Sequence, residues 1–175
     1  MLRSLVGSEM CIRDRGKKSF IDKLQMVFDE GLYDPANEPD IAYPYLFSYF
    51  KGEEWRTQKE TQRLLDKYFT TKPDGIPGND DTGTMSSWAI FNMIGFYPDC
   101  PGLPEYTLTT PVFDKVTIRL DPKWYKEKEL VIESNRAQPG TLYINKVLLN
   151  GKKFNKYRIT HDELVHGQHI YFDLK

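Results

Sequence analysis

The sequence has little cysteine, little histidine and no surplus of charge of either sign. Its 175 residues include two cysteines, three histidines, 24 lysines and arginines, and 25 aspartates and glutamates. Because the charges balance, we expect no strong field that would attract nucleic acid or an anionic membrane surface. Cys11 lies in an atypical N-terminal stretch, and Cys100 alone cannot form an internal disulfide. The cysteines therefore do not indicate a redox compartment.

Long apolar runs are also lacking. The apolar residues near the N-terminus, among them Leu5, Val6 and Ile12, are scattered between charged residues, which excludes a signal peptide or a membrane span in this stretch. Aromatic residues, in contrast, make up 14% of the chain. Tyrosine and tryptophan suit half-buried cores as well as sites that stack on sugars. This composition is typical of a globular domain.

Apolar spacing predicts helices in the first half of the chain. Steps of three to four residues recur in four segments, at residues 20–28, 43–50, 55–68 and 88–94. Gly31, Gly52 and Gly95 follow three of these segments as stop signals. Prolines at positions 98, 101 and 104 then break the helical pattern, which indicates a domain edge.

Strand-like runs follow the prolines. They occupy residues 106–109, 112–120, 129–134, 141–149 and 169–174. Asn150 and Gly151 predict a hairpin turn because both tolerate positive φ. Thr160 and Glu163 have the spacing of a capping box at the start of a short helix. The sequence therefore predicts an α+β chain, with helices first and an antiparallel β module after them.

The string GNDDTGTMSSW at residues 78–88 is the most informative motif. It sets two adjacent carboxylates, Asp80 and Asp81, on a glycine-flanked turn before an apolar helix. Glycines let such a turn aim side chains into a cavity. The ordinary alternative is that the aspartates cap the helix and complement its dipole.

Other motifs accompany this string in a fixed order. They are NEPD at 37–40, PYLFSY at 44–49, WRTQ at 55–58, DGIPG at 74–78, GFYP at 95–98, CPG at 100–102, PVFD at 111–114 and LNGK at 149–152. Together they closely resemble glycoside hydrolase family 92, the calcium-dependent exo-acting α-mannosidases. The resemblance covers residues 30–172 and includes His161.

The resemblance implies that the chain is the C-terminal part of a longer enzyme. Family members are several times longer, so the partners would include the missing N-terminal portion of the same chain. Residues 1–15 do not fit the family and look like a translated sequencing adaptor. They are therefore left out of the predicted fold. Residues 16–98 would then close an (α/α)6 catalytic barrel, and residues 99–175 would form a β-sandwich-like module. The parent enzyme is expected in the periplasm or outside the cell.

The resemblance also assigns roles in catalysis. Glycoside hydrolysis needs two carboxyl groups on either side of the scissile bond, about 6.5–9.5 Å apart in an inverting enzyme. Adjacent residues on one turn do not span that separation, so Asp80 and Asp81 belong to one side. By resemblance, Asp81 is the general base, and Asp80 or Asn79 orients it or shares the water. Asn79 and Trp88 are the candidate substrate-binding residues, although core packing is the favoured role for Trp88.

A calcium site is the second functional expectation. Asn37 and Glu38 offer two hard oxygen ligands of the kind that calcium prefers, and in the family the metal binds sugar hydroxyls. Without the family, an Asn-Glu-Pro sequence would simply start a helix. By the same resemblance, the general acid would be a glutamate upstream of every motif in this chain. The resemblance thus implies a mannose-containing glycan as substrate, and a chain that is inactive alone.

Two rival functions remain at this point. The β half alone would suit a non-catalytic carbohydrate-binding module with a helical scaffold, but that does not explain the Asp80–Asp81 turn. A helical-barrel phosphorylase or lyase is not expected to contain both the NEPD and the GNDDTG motifs. The linkage is also open, because residues 41 and 42 are Ile and Ala where many α-1,2-specific members have a histidine-containing pair.

Overall fold

The computed structural model describes residues 2–36, 38–135 and 140–175. The first half is helical: α1 (Leu2–Asp29), a 3₁₀ segment (Glu38–Tyr49), α2 (Glu54–Tyr68) and α3 (Thr84–Ile94). Helix α1 is interrupted at Gly16, whose φ of 81° and ψ of 161° are not helical. Glycine stop signals at positions 31 and 95 are confirmed, since both have positive φ just after a helix ends. No described helix has the length and apolarity needed to cross a membrane.

The segment predicted as the second helix is 3₁₀ rather than α. It contains Pro39 and Pro44, which lack the N–H group that an α-helix interior requires. Of the predicted apolar face, Phe47 is 0% exposed, and Tyr43, Leu46 and Phe50 are half-buried against the helical core. Tyr45, which lies outside that face, is also 0% exposed, so the periodicity predicted the buried residues only in part, and the prolines decided the backbone geometry.

In the described part of the chain after α3, there are eight strands and a short helix, α4 (His161–Gly167). The strands are β1 (Phe96–Tyr97), β2 (Glu105–Leu108), β3 (Lys115–Arg119), β4 (Glu129–Asn135), β5 (Ile144–Leu149), β6 (Lys152–Phe154), β7 (Arg158–Thr160) and β8 (His169–Leu174). They form a three-stranded sheet in the order β1-β2-β7 and a five-stranded sheet in the order β3-β4-β8-β5-β6.

The prediction of a wholly antiparallel β module is wrong for one pair of strands. β4 and β8 run parallel, with Ile132 opposite Ile170. Parallel neighbours need a long crossover, and the chain between β4 and β8 contains β5, β6, β7 and α4. The fold is therefore mixed α and β, while the barrel and the sandwich remain predictions.

Two predicted local features are confirmed. Asn150 and Gly151 have φ of 50° and 74°, as a tight hairpin turn between β5 and β6 requires. The capping box is complete: the Thr160 hydroxyl accepts from the Glu163 N–H at 3.1 Å, and the Glu163 carboxylate accepts from the Thr160 N–H at 3.0 Å.

Among the described residues, two hydrophobic clusters form the core, one among the helices and one that joins the two sheets and α4. Helix α3 joins them, because Trp88 and Ala89 belong to the helical cluster while Phe91 and Ile94 pack against the β cluster. Tyr97 of β1 packs in turn against the helical cluster. The two halves thus share contacts across the predicted boundary at residue 98, and that boundary stays a prediction.

We expect Thr160→Ala to lower the free energy of unfolding by about 1 kcal/mol, because it removes one half of the capping box. Thr160→Ser keeps the hydroxyl and is the control. The backbone hydrogen bond with Thr160, and then Lys156, lower the pKa of Glu163. This carboxylate stabilises the fold above its unfolded pKa, and the effect is lost as the pH falls through the lowered pKa. Glu163→Gln removes this charge but keeps the side-chain shape. Its urea unfolding should therefore show a stability deficit at neutral pH that shrinks in acid, and a deficit independent of pH would contradict the box.

Candidate active site

The Asp80–Asp81 turn has an unusual backbone. Asp81, Thr82 and Gly83 all have positive φ, at 46°, 61° and 90°. Positive φ is rare for a β-branched residue such as Thr82 and costs on the order of 1–3 kcal/mol. Such strain persists only where the surrounding structure holds it, and it is concentrated at functional sites.

The two aspartates of this turn differ in their hydrogen bonds. One carboxylate oxygen of Asp80 accepts from the Ser86 N–H at 2.7 Å, so Asp80 serves the first turn of α3. The Asp81 carbonyl accepts from the hydroxyl of Thr84 at 2.7 Å, but its carboxylate makes no hydrogen bond or ion pair with any described residue. Both residues are exposed. The capping interpretation therefore applies to Asp80, and it leaves the Asp81 carboxylate available for another partner.

The loop before the turn is closed tightly on itself. The Thr70 N–H donates to the Gly75 carbonyl and the Gly75 N–H donates to the Lys72 carbonyl, both at 2.9 Å. A Cβ at position 75 would lie only 2.1 Å from the Thr70 carbonyl oxygen, so no larger residue fits there. The DGIPG motif thus fixes where the chain enters the turn.

Gly78 brings the two functional motifs together. Its φ is +66°, and a Cβ at this position would lie 2.7 Å from the Ala36 Cβ. Asp80 and Glu38 each follow this contact by two residues, which is at most about 7 Å of chain. Asn37 lies outside the described residues. Motifs that are far apart in the sequence therefore meet at one corner of the molecule.

Glu38 begins the 3₁₀ segment and is exposed, with no hydrogen bond or ion pair to a described residue. Its charge nevertheless reaches Tyr97. Burial, the charge of Asp99 and the charge of Glu38 raise the pKa of Tyr97 to about 12. Tyr97 therefore stays a neutral phenol near the Glu38 carboxylate.

Trp88 lies behind the turn, in the core. It is 1% exposed, its ring stacks on Phe69 at a centroid distance of 5.2 Å, and it packs at a tilt against Tyr97. This environment agrees with the packing role, and direct contact between Trp88 and a substrate stays a prediction. Asn79, the other candidate for substrate binding, is exposed on the turn.

Sequence reasoning missed a polar contact that joins the elements carrying the two motifs. The Asn92 side-chain amide of α3 donates to the Tyr45 hydroxyl of the 3₁₀ segment at 2.6 Å, and both residues are 0% exposed. The Tyr45 ring also stacks on Tyr97 at 4.6 Å, with 10° between the planes. The PYLFSY and GFYP motifs contain these tyrosines, but only the tertiary structure pairs them.

The three histidines contact other partners. His161 lies between two phenols, with Nδ1 2.9 Å from the Tyr106 hydroxyl and Nε2 3.1 Å from the Tyr125 hydroxyl. His166 pairs with Glu127, and His169 pairs with Glu133. Across the described residues there is no group of three or more histidine, cysteine or acidic side chains that could hold a metal ion.

Residues 10–175 match the family model described as the glycosyl hydrolase family 92 catalytic domain. The match starts inside the predicted adaptor stretch, so that interpretation of residues 1–15 stays a prediction. A curated relative, an uncharacterized secreted glycosidase of Arthroderma benhamiae, is 28% identical over 152 residues, which are 87% of this chain and 19% of that protein.

Two solved structures from Bacteroides thetaiotaomicron are also similar. The family GH92 α-mannosidase BT3965 is 31% identical with a TM-score of 0.78, over 91% of this chain and 22% of that one. The inverting mannosidase BT2199 is 34% identical with a TM-score of 0.73, over 89% and 20%. The chain thus spans about a fifth of the length of the relatives it matches. None of these matches supports the non-catalytic binding module.

We expect Gly78→Ala to destabilise the fold more than Gly31→Ala does. The two glycines have nearly the same φ, +66° and +70°, but a Cβ at position 31 would have nothing within 4 Å. Gly31→Ala should cost about 1–2 kcal/mol for the left-handed backbone alone. Gly78→Ala should cost at least about 1 kcal/mol more, because the methyl group collides with Ala36. Equal losses in chemical unfolding would mean that the two loops do not touch.

Proposed function

This chain belongs to glycosyl hydrolase family 92, and we propose that it supplies the general-base side of the active site of an inverting exo-α-mannosidase. The observation that carries the proposal is the contact between Gly78 and Ala36. It brings Asp81, whose carboxylate has no partner among the described residues, to the same corner as Glu38. A base and a sugar-binding metal ligand must share such a corner if they act on one sugar ring.

In the proposed reaction, the Asp81 carboxylate takes a proton from a water molecule as that water attacks the anomeric carbon. Asp80 positions the turn through its hydrogen bond to the Ser86 N–H. The bond from the anomeric carbon to the leaving oxygen breaks on the opposite face of the ring, where a carboxylic acid protonates that oxygen. The two carboxyl groups would be about 6.5–9.5 Å apart, so the acid comes from outside this turn.

We further propose that Glu38 and Asn37 contribute ligands to a calcium ion. Bound there, the ion would coordinate sugar hydroxyls and favour a distorted ring. The exposed Glu38 carboxylate has no competing partner among the described residues, and carboxylate and amide oxygens suit calcium. Because calcium takes six to eight oxygens, other ligands must come from the substrate, water or further protein. The negative charge of the Glu38 carboxylate would attract the calcium ion, and its oxygen atoms would bind it.

The substrate would be a mannose-containing glycan, and the parent enzyme would work in the periplasm or outside the cell, as a relative described as secreted suggests. The relatives are about five times longer than this chain. We therefore propose that the 175-residue chain needs the rest of such an enzyme, above all its general acid. Loss of an acid alone lowers the rate by ~10²–10⁴-fold, so the isolated chain should release no mannose.

In a full-length family enzyme carrying these residues, Asp81→Asn should lower kcat by about 10²–10⁴-fold with KM nearly unchanged, because it removes the base but keeps the shape. Asp80→Asn is the matched control. Its amide oxygen can still accept from the Ser86 N–H, so its loss of kcat should be clearly smaller. Steady-state hydrolysis of an aryl α-mannoside measures both variants. Near-normal turnover by Asp81→Asn would remove Asp81 as the base.

In the same enzyme, chelation should abolish hydrolysis and added calcium should restore it. Glu38→Gln should raise the calcium concentration needed for half-maximal activity by about tenfold or more, because it removes a charged ligand. Glu129→Gln removes an exposed carboxylate on β4 and should leave this concentration unchanged. Activity that is indifferent to the chelator would contradict the calcium site.

A further inference from the structure

A single row of side chains crosses the three-stranded sheet. Tyr97 of β1 lies opposite Thr107 of β2, and Thr107 lies opposite Arg158 of β7. Residues directly opposite one another project from the same face of a sheet. Tyr97, Thr107 and Arg158 therefore form a continuous row, which we call the cross-strand row.

The 3₁₀ segment lies on this row with three consecutive contacts. Tyr45 stacks on Tyr97 at 4.6 Å. The Ser48 hydroxyl lies 3.4 Å from the Thr107 hydroxyl, and the Tyr49 ring lies 4.5 Å from the Arg158 guanidinium carbon. Tyr45, Ser48 and Tyr49 thus contact the three members of the row in order.

Asp99 ties the row together. Its side chain is 2% exposed, and its two carboxylate oxygens each accept from the Arg158 guanidinium at 3.2 Å. They also accept from the Thr107 hydroxyl at 2.7 Å and from the Tyr49 hydroxyl at 2.9 Å. Removing the cation that pairs with such a carboxylate strongly destabilises the fold, because it leaves a buried charge uncompensated.

Arg158 is the one cation that binds Asp99 among the described residues. Burial lowers the pKa of Arg158, but the charge and hydrogen bonds of Asp99 raise it above its ordinary value. The guanidinium is therefore charged at any pH where the fold is stable. Its planar fork serves Asp99 while its face stacks on Tyr49, and lysine cannot do both.

The candidate site lies at the other end of the same segment. Glu38 begins the 3₁₀ segment that Tyr49 ends. Asn92 of α3 donates to the Tyr45 hydroxyl, and α3 begins just after the Asp80–Asp81 turn. The orientation of the segment on the row therefore sets the position of Glu38 relative to α3, the helix that follows the Asp80–Asp81 turn.

We propose that Arg158, in the β half of the chain, is a positioning residue for the candidate active site, because it fixes the 3₁₀ segment on the cross-strand row. The part of this inference that concerns catalysis rests on the proposed function. The part that concerns the segment does not, and the two can be measured separately.

The first measurement is amide hydrogen exchange on the purified chain. Arg158→Met should speed exchange in residues 38–49 by about tenfold or more, while exchange in β8 changes little. Arg158→Lys should give an intermediate increase, because it keeps the charge but loses the fork and the stack. The control Arg119→Met removes an exposed arginine on β3 and should change neither region. If Arg158→Met does not fold, Tyr49→Leu, at a half-exposed position, removes only the stack and the hydroxyl and should loosen the same segment.

The second measurement is the calcium dependence of hydrolysis in the full-length enzyme. Arg158→Lys should raise the calcium concentration for half-maximal activity severalfold, with kcat at saturating calcium preserved. If Arg158 were purely structural, its substitution would lower the amount of active enzyme and would leave the calcium concentration for half-maximal activity unchanged. Unchanged exchange in residues 38–49, or an equal rise in β8, would overturn the positioning role. Local loosening in an enzyme that needs no calcium would support the positioning role and overturn the calcium assignment.

Discussion

The architecture around the candidate site depends on the packing of Tyr45. Its ring is buried against Tyr97 of the three-stranded sheet, and its hydroxyl accepts a hydrogen bond from Asn92 of α3. A single side chain in the 3₁₀ segment therefore touches both the sheet and the helix behind the Asp80–Asp81 turn. Stacked aromatic pairs contribute about 0.5–1.5 kcal/mol beyond burial, and a buried hydroxyl without a partner is costly. Both contacts of Tyr45 are made at the same time only when the 3₁₀ segment lies between β1 and α3 as it does in this structure.

The two adjacent aspartates of the turn make different contacts. Asp80 is committed to the amide groups at the start of α3, as capping aspartates commonly are. Asp81 and Thr82 take left-handed backbone conformations, and the Asp81 carbonyl accepts from the Thr84 N–H at the start of α3. The Asp81 carboxylate makes no hydrogen bond to a described residue. In the proposed function, this free carboxylate would activate the attacking water, as an inverting glycosidase requires.

Local features were predictable from the sequence because they depend on neighbouring residues. Helices α2 and α3, the Asn150–Gly151 hairpin and the Thr160–Glu163 capping box all follow from spacing and turn chemistry. The 3₁₀ geometry of residues 38–49 was not predicted, because the apolar periodicity indicates an α-helix and only Pro39 and Pro44 oppose it. The parallel pairing of β4 with β8 depends on the path of the intervening chain.

The candidate site was also predictable only in part from the sequence. The motifs identified Asp81 and Glu38 as residues of interest, but no local pattern shows that Gly78 meets Ala36 or that Asn92 meets Tyr45. The cross-strand row was equally hidden, because β1 and β7 have two and three residues and give almost no periodic signal. The candidate site is formed by contacts between short segments that are far apart in the sequence, and only the tertiary structure shows these contacts.

The central claim is that the two motif loops form one corner of the molecule, and nuclear Overhauser effects between them test it most directly. A Cβ at position 78 would lie 2.7 Å from the Ala36 Cβ, so the Gly78 α-protons and the Ala36 methyl group are close neighbours. We predict a strong cross-peak between these protons in the isotopically labelled chain. If both resonances are sharp and assigned but no cross-peak joins them, the loops do not meet and the shared site is contradicted.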